Sequence, residues 1–407
     1  MRYMVFSHGH PIFSKGGAEI AAYNLFKGIN ELPGHECWFV ARCADNILHL
    51  GSPLAAINEN ELLISGNADL TNLTSTIRLG DDSEFSEMLR HINPDVVHFH
   101  HYINLGLEML HAVKRTLPNT KLLVTLHEYI AICSNNGQMQ KTNGTLCHNY
   151  TPRECARCFP NKTPEDFFLR EQYIKSFFKN VNLFISPSEF LKKRYIEWGI
   201  DESRIKVIEN GQGIEGNLPP RNIGAKEKRN VFGFFGQVNP FKGVDVLLQA
   251  ISNLPSKQRR NIILEIHGAN LEYQTQDFQK KVKRLLKPLT EEGSVRWVGP
   301  YQPHELRDRM ENIDWVVVPS VWWENSPMVI QEAMLFSRPL LVSNIGGMAE
   351  KVAHGINGLH VPVGNANAWG NTFIRCAEDI ELWKTLRKGI SKPISYIECA
   401  QAHLNIL

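Results

Sequence analysis

Apolar residues along the chain fall into short runs, most of them nearly continuous, separated by longer amphipathic stretches. In the first half the runs lie at 2–7, 36–41, 95–99, 121–126, 182–186 and 205–208; in the second half at 231–235, 262–267, 295–298, 314–318 and 339–342. Runs that are mostly continuous rather than alternating predict strands covered on both faces, as in a parallel sheet. Segments such as 18–29 and 243–252 repeat their apolar positions at helical spacing and complete βαβ units. Two such series in succession predict two doubly wound α/β domains. The stretch 209–229 is rich in Gly, Asn and Pro, lacks periodicity and ends in a charge run, which is linker composition. The expected boundaries are 1–210, a linker at 211–228 and 229–385. Ligands of such folds bind at the carboxyl ends of the strands, so a cleft between the domains is the expected site.

Composition narrows the class of protein. The chain has 407 residues, 43% hydrophobic and 21% charged, enough for two sizeable cores and unlike a disordered or collagenous chain. Lys plus Arg is 44 against 42 Asp plus Glu, so there is no basic excess to expect a nucleic-acid partner. No run approaches the length of a membrane-spanning helix. The segment Met1–Ser7 turns polar too soon for a signal peptide and reads as a strand, which predicts a cytoplasmic protein.

Four strand-to-helix junctions carry candidate chemistry. Ser14-Lys15-Gly16-Gly17-Ala18-Glu19 lets backbone amides approach an anion at a helix N-terminus, or is a plain βα turn. Gly236-Gln237-Val238-Asn239-Pro240-Phe241-Lys242-Gly243 adds a lysine that can neutralise a diphosphate; the alternative is an exposed surface lysine. In Glu324-Asn325-Ser326-Pro327-Met328-Val329-Ile330-Gln331-Glu332, Pro327 is expected to open a helix capped by Ser326. Glu324 and Glu332 then either grip hydroxyls of a sugar and a ribose or are incidental. Gly346-Gly347-Met348-Ala349-Glu350 is a further glycine pair before a helix.

Taken in order, Gly16-Gly17-Ala18-Glu19, His127 at a strand end, Asn210-Gly211, the Gly236 to Lys242-Gly243 loop, Glu324-x7-Glu332 and Gly346-Gly347-x-x-Glu350 resemble the retaining family-four glycosyltransferases. The resemblance spans about residues 2–362. It implies a GT-B fold, with two facing Rossmann-like domains. The C-terminal domain would hold a UDP- or GDP-sugar, and a last segment, 386–407, would pack back on the N-terminal domain with Pro393 as a kink or break. It also implies residue roles. Lys242 would bind the donor diphosphate and Glu332 the ribose. Glu324 would meet a hydroxyl of the donor sugar, assisted by the amides of Met328 and Val329. Gly16 and Gly17 would approach the phosphates or the acceptor, and His127 would sit against the sugar. The catalytic set is then His127, Glu324 and Lys242. Many members carry arginine where this chain has Gln237, which leaves Gln237 as a donor contact and Lys15 as a candidate replacement cation on the phosphate. No Asp-x-Asp metal site is evident, Asp81-Asp82 reading as a solvated turn, so catalysis is expected to rest on positioning and electrostatics with no catalytic cofactor.

Three features stand outside this set. Cys133, Cys147, Cys155 and Cys158 lie in a polar insertion, 133–160, with the spacing C-x13-C-x7-C-x2-C. The readings are a structural zinc, reduced thiols or an iron–sulfur cluster. His98-Phe99-His100-His101 reads as core or cleft histidines, with His98 and His100 on one face by alternation. Segment 166–198 interleaves Phe167, Phe168, Tyr173, Phe177 and Phe178 with lysines, a candidate patch for an anionic membrane. The leading expectation is a transferase acting on a saccharide or lipid-linked acceptor in surface polysaccharide synthesis. The alternatives are a GT-B nucleotide-sugar epimerase, a glycogen-synthase-like enzyme, or an inactive nucleotide-sugar-binding scaffold.

Overall fold

A computed structural model describes the chain except for residues 15, 44–47, 49–50, 67–72, 214–215, 217 and 225–227. It divides into two compact units, Met1–Gly213 together with Ile394–Leu407, and Ile214–Pro393.

The first unit runs β1 (Arg2–Ser7), α1 (Gly17–Glu31), β2 (Glu36–Cys43), β3 (Leu54–Ala56), β4 (Glu61–Ser65), α2 (Glu84–Ile92), β5 (Val96–Phe99), α3 (Glu108–Thr116), β6 (Lys121–Thr125), α4 (Pro152–Cys158), α5 (Pro164–Phe178), β7 (Leu183–Ser186), α6 (Glu189–Glu197) and β8 (Ile205–Val207). Its strands form one sheet in the order β3-β4-β2-β1-β5-β6-β7-β8, parallel except for β3. Five of the six residues of β1 are buried, as a strand covered on both faces requires. Tyr3 and Val5 pack with Leu25, Phe26 and Ile29 of α1 in one core cluster. The helix Tyr396–Asn405 lies along α1, and a Cβ on Gly28 would meet the Tyr396 carbonyl at 2.5 Å. Gly28 thus makes the close approach of the two helices possible.

The second unit runs β9 (Val231–Gln237), α7 (Val244–Ser252), α8 (Ser256–Arg259), β10 (Ile263–Ala269), α9 (Gln276–Glu292), β11 (Val295–Trp297), α10 (Leu306–Glu311), β12 (Trp315–Val318), α11 (Met328–Leu335), β13 (Leu340–Ser343), α12 (Gly346–Lys351), β14 (Gly358–Val361), α13 (Ala366–Glu378) and α14 (Ile380–Lys388). Its six strands are all parallel, in the order β11-β10-β9-β12-β13-β14. Counted within the unit this is the 3-2-1-4-5-6 order of the doubly wound nucleotide-binding fold. Trp315, Val317 and Leu341 enter one core cluster while Val316, Val318, Leu340 and Val342 enter another, so alternate residues fill the two faces. Each such fully buried side chain contributes roughly 1.5–3 kcal/mol.

Two expectations change and a third resolves. The short strands β3, β4 and β14 were not among the predicted runs. Helical structure ends at Lys388 and resumes at Tyr396, so of the two expected forms, kink or break, Pro393 takes the break. The stretch 209–229 is not all spacer. Leu218 is buried, and Arg221 and Arg229 both bind the fully buried Asp314, at 2.8 and 2.9 Å. Arg338, also fully buried, donates to the carbonyls of Leu218, Pro219 and Phe336 among others.

Candidate active site

In the second unit the chain turns from one half of the sheet to the other between β9 and β12, and the loops at the carboxyl ends of these two strands bring the predicted residues together. The loop after β9 is held by Asn239, whose Oδ1 accepts from the amides of Phe241 at 3.0 Å and Lys242 at 3.1 Å. Gly243 ends it at φ +71°, a left-handed conformation that starts α7. This places the Lys242 Nζ 2.6 Å from Glu324 Oε1. Glu324 is 6% exposed, and the same oxygen accepts from Ser320 Oγ at 2.8 Å and Trp322 Nε1 at 2.9 Å. A buried carboxylate with three donors on one oxygen is well satisfied and fixed in place. Ser320 and Trp322 were missed from the sequence; only their position on the segment between β12 and Glu324 signalled them.

Helix α11 begins at Met328, with Pro327 in extended conformation at its N-cap and no side-chain cap. This corrects the expectation that Pro327 opens the helix under a Ser326 cap: at ψ 120° Pro327 has not yet entered the helix. The amides of Met328 and Val329 head the first turn of α11. One turn on, burial alone pushes the half-buried Glu332 carboxyl up to about 7. Tyr301 stands near it, its hydroxyl pushed up by burial and then by the Glu332 charge. Gly347 donates its amide to the Glu324 carbonyl at 2.7 Å, and a Cβ there would collide with the Asn325 carbonyl. The Gly347 amide therefore holds the loop that carries Glu324. Gln237 is exposed at the end of β9, with its Oε1 3.5 Å from Asn239 Nδ2.

The first unit has its own reversal of strand order, between β1 and β5, and a group of histidines collects there. His8 follows β1, with its Nε2 3.4 Å from Glu19 and its ring 4.6 Å from that of His101. Glu19 is buried and accepts from Ser14 Oγ at 2.5 Å, its carboxylate lying over Gly16. Gly17 is the first residue of α1; Lys15 lies outside the described residues. His127 follows β6, half-buried, its Nε2 3.2 Å from His100 Nδ1, and burial followed by the His8 charge pushes its pKa down to about 3. Neighbouring Glu128 is pushed up to about 8 by burial and lies 3.4 Å from His101 Nε2. His98 and His100 do share a face, with ring centroids 4.6 Å apart. A cavity of about 700 Å³ elsewhere in this unit, bordered by Trp38, Leu54, Leu62 and Met88, is lined by none of these groups.

The four clustered cysteines are free thiols, partly exposed. Burial raises Cys133, Cys147 and Cys155, and charge on neighbouring thiols of the group adds to each rise. The insertion therefore folds them into one neighbourhood, yet among the described residues no three His, Cys, Asp or Glu are gathered closely enough to hold a metal ion. Asp81 and Asp82 lie in an exposed turn, paired with Arg115 at 2.8 Å and Arg78 at 3.3 Å. The patch expected over 166–198 is largely spent on packing. Phe167 and Phe178 are buried, Lys175 binds Glu171 and the Trp198 carbonyl, and Phe168 and Leu169 remain as the exposed apolar pair. No helix among the described residues is long and apolar enough to cross a membrane.

Comparison with known proteins agrees with this geometry. The model described as Glycosyltransferase Family 4 matches residues 15–212, and that described as Glycosyl transferases group 1 matches residues 219–392. A lipopolysaccharide 1,2-N-acetylglucosaminetransferase of Salmonella typhimurium is 30% identical over 187 residues, 44% of this chain and 48% of that protein. A D-inositol 3-phosphate glycosyltransferase of Corynebacterium glutamicum is 27% identical over 212 residues, 49% of each. Such alignments span about half the length of the curated relatives. Among solved structures, Anabaena HepE in complex with UDP superposes with a TM-score of 0.68 at 18% identity, over 100% of this chain and 99% of that one. Sucrose-phosphate synthase from Thermosynechococcus elongatus superposes at 0.69 and 17% identity, over 100% and 98%. With both family models matched in chain order and each unit doubly wound as in the GT-B fold, the chain belongs to the family-four glycosyltransferases of glycosyl transferases group 1.

Proposed function

We propose that this chain transfers a sugar, with retention of configuration, from a nucleoside-diphosphate sugar to a saccharide or lipid-linked acceptor. The observation that carries the reading is the Lys242–Glu324 pair at 2.6 Å, placed where the strand order of the second unit reverses. There a fixed cation can take the diphosphate while a held carboxylate accepts from a sugar hydroxyl. Glu332 receives the ribose hydroxyls, the first amides of α11 add donors, and His127 meets the sugar being moved. Gln237 offers a neutral contact where relatives carry a cation. A peripheral membrane contact would rest on Phe168 and Leu169. That HepE was solved with UDP and with UDP-glucose supports a uridine donor as the first to try. A thermal-shift screen against UDP- and GDP-sugars, followed by a nucleoside-diphosphate release assay, tests the reading. Binding without release in the presence of saccharide acceptors favours a scaffold, and interconversion of the donor sugar without an acceptor favours an epimerase.

The Glu332 pKa makes donor binding pH-dependent. Ribose hydroxyls donate to the ionised carboxylate, and with a pKa near 7 the ionised fraction rises steeply between pH 6 and 8. Affinity for the nucleotide-sugar is expected to strengthen by up to about tenfold over that window, following that fraction. In the free protein the sign is opposite. The carboxyl binds its proton more tightly folded than unfolded, so stability falls as pH rises from 4.5 to about 7 and is level above. Titration calorimetry on Glu332→Gln should show weaker and pH-independent binding; a retained slope would place the titrating group elsewhere.

We also propose that the cysteine insertion closes on a structural zinc. The nearness of the thiols supports this, although they must draw together further to act as ligands. Purified protein is expected to carry one zinc per chain and Cys155→Ser none. Metal-free wild-type protein with a full melting transition would leave the group as plain thiols.

A further inference from the structure

His98 and His100 point from one face at the end of β5, and Thr125 and His127 from the matching face at the end of β6. Strands β5 and β6 are parallel, with Phe99 opposite Val124. The same diagonal contact is made twice: His98 Nε2 to Thr125 Oγ1 at 2.7 Å, then His100 Nδ1 to His127 Nε2 at 3.2 Å. His98 is fully buried and completes its bonding through Nδ1 to the Tyr3 hydroxyl at 2.8 Å. His100 is 3% exposed, and its second nitrogen, Nε2, is buried with no hydrogen-bond partner. It stands between the rings of His98 and His127, with centroids 4.6 and 5.3 Å away.

Burial and the neighbouring imidazoles hold both His100 and His127 neutral near pH 7, so each ring carries a single N–H. Two arrangements then satisfy the 3.2 Å contact. If His127 Nε2 donates, the proton of His100 must sit on its own Nε2, leaving a buried N–H with no acceptor. If His100 Nδ1 donates, His100 Nε2 is a bare lone pair against aromatic rings. An orphaned buried N–H is the rarer and more costly state.

We propose that His100 is a positioning residue that locks His127 in its Nδ1–H tautomer, so that His127 meets its substrate as a hydrogen-bond donor through Nδ1. With its Nε2 lone pair occupied by His100, His127 cannot take a proton there and does not serve as a base through that nitrogen. The catalytic consequence rests on the reading that His127 touches the transferred sugar; the tautomer does not.

The two are tested separately on the full chain labelled with 15N-histidine. The ring-nitrogen shifts of His127, identified by their loss in His127→Ala, are expected to show a protonated Nδ1 and a bare Nε2. In His100→Leu both tautomers should appear and kcat should fall about 10- to 100-fold with donor KM little changed, the scale seen when an orienting partner is removed. His100→Asn sets its amide near the place of Nδ1 and should keep the tautomer and most of the activity. His100→Gln sets it near Nε2 and should behave like His100→Leu. A protonated Nε2 on His127 in the wild-type protein overturns the proposal even if no variant folds, and so does an unchanged tautomer in His100→Leu. If the tautomer is as expected but His127→Ala turns over normally, the lock stands and the contact with the sugar falls.

Discussion

Lys242→Ala is expected to lower kcat/KM by about 10²- to 10³-fold, the scale of removing one preorganised charge from a developing anion. The side chain has two roles that the variant separates. Its ammonium is the cation nearest the carboxylate proposed to hold the sugar, at 2.6 Å, and it stands 6.0 Å from the Trp322 ring centre. It is also one of three donors to Glu324 Oε1. The other two, Ser320 Oγ and Trp322 Nε1, belong to the loop that carries Glu324 and do not depend on the lysine. Removing Lys242 therefore leaves the carboxylate hydrogen-bonded to two donors, and melting should shift by less than the roughly 3–5 kcal/mol of a buried ion pair that loses one partner outright, the lysine side chain being 28% exposed and that of Glu324 7%. Lys242→Arg retains the charge without the compact ammonium and should recover part of the rate. Steady-state nucleoside-diphosphate release together with a melting curve decides the matter. A folded variant with unchanged turnover removes Lys242 from the diphosphate.

The second large effect concerns stability. Asp314→Ala is expected to destabilise the second unit by about 3–5 kcal/mol, the range for breaking a buried ion pair from one side. Asp314 is fully buried, binds Arg221 and Arg229, and accepts the Val231 amide at 3.1 Å where β9 begins. Its loss strands Arg229, which is 8% exposed, and frees the end of the central strand. Against a total stability of about 5–15 kcal/mol, that loss threatens the unit as a whole. Asp314→Asn keeps the shape and some hydrogen bonds and should fall between. Denaturant titration is the measurement, and a change below about 1 kcal/mol would mean that the two arginines are solvated in practice.

Asp314 also shows where sequence reading stopped. The run 314–318 was legible as a strand because its residues 315–318 are apolar without interruption, and β1, β6, β9 and β13 were legible by their own apolar runs. Strand β3 was not, since it has only three residues and none is buried, β4 was not, since Glu61 and Ser65 confine its apolar run to Leu62–Ile64, and β14 was hidden by Gly358 and His360. The arginines that satisfy Asp314 lie 85 and 93 residues away in a stretch whose composition is that of a spacer. Composition reports flexibility on average and says nothing about one buried partner. At the site, the ordered motifs named Lys242 and Glu324, but only the β9–β12 adjacency shows why residues 82 apart touch. The histidines were visible as a cluster in sequence. Their pairing was not, because it depends on the register of two strands joined by a helix.

The chain leaves its first unit at Gly213 and re-enters it at Ile394, so the second unit is an insertion in the first. During synthesis the sheet of the first unit is complete long before the helix that covers α1 has been made. The later-synthesised unit contains all of its own strands and can fold without waiting. The ribosome must release the chain beyond Tyr396 before Gly28 meets it, and until then the apolar side of α1 facing that helix is open to chaperones. The unit begun first is the last to be finished.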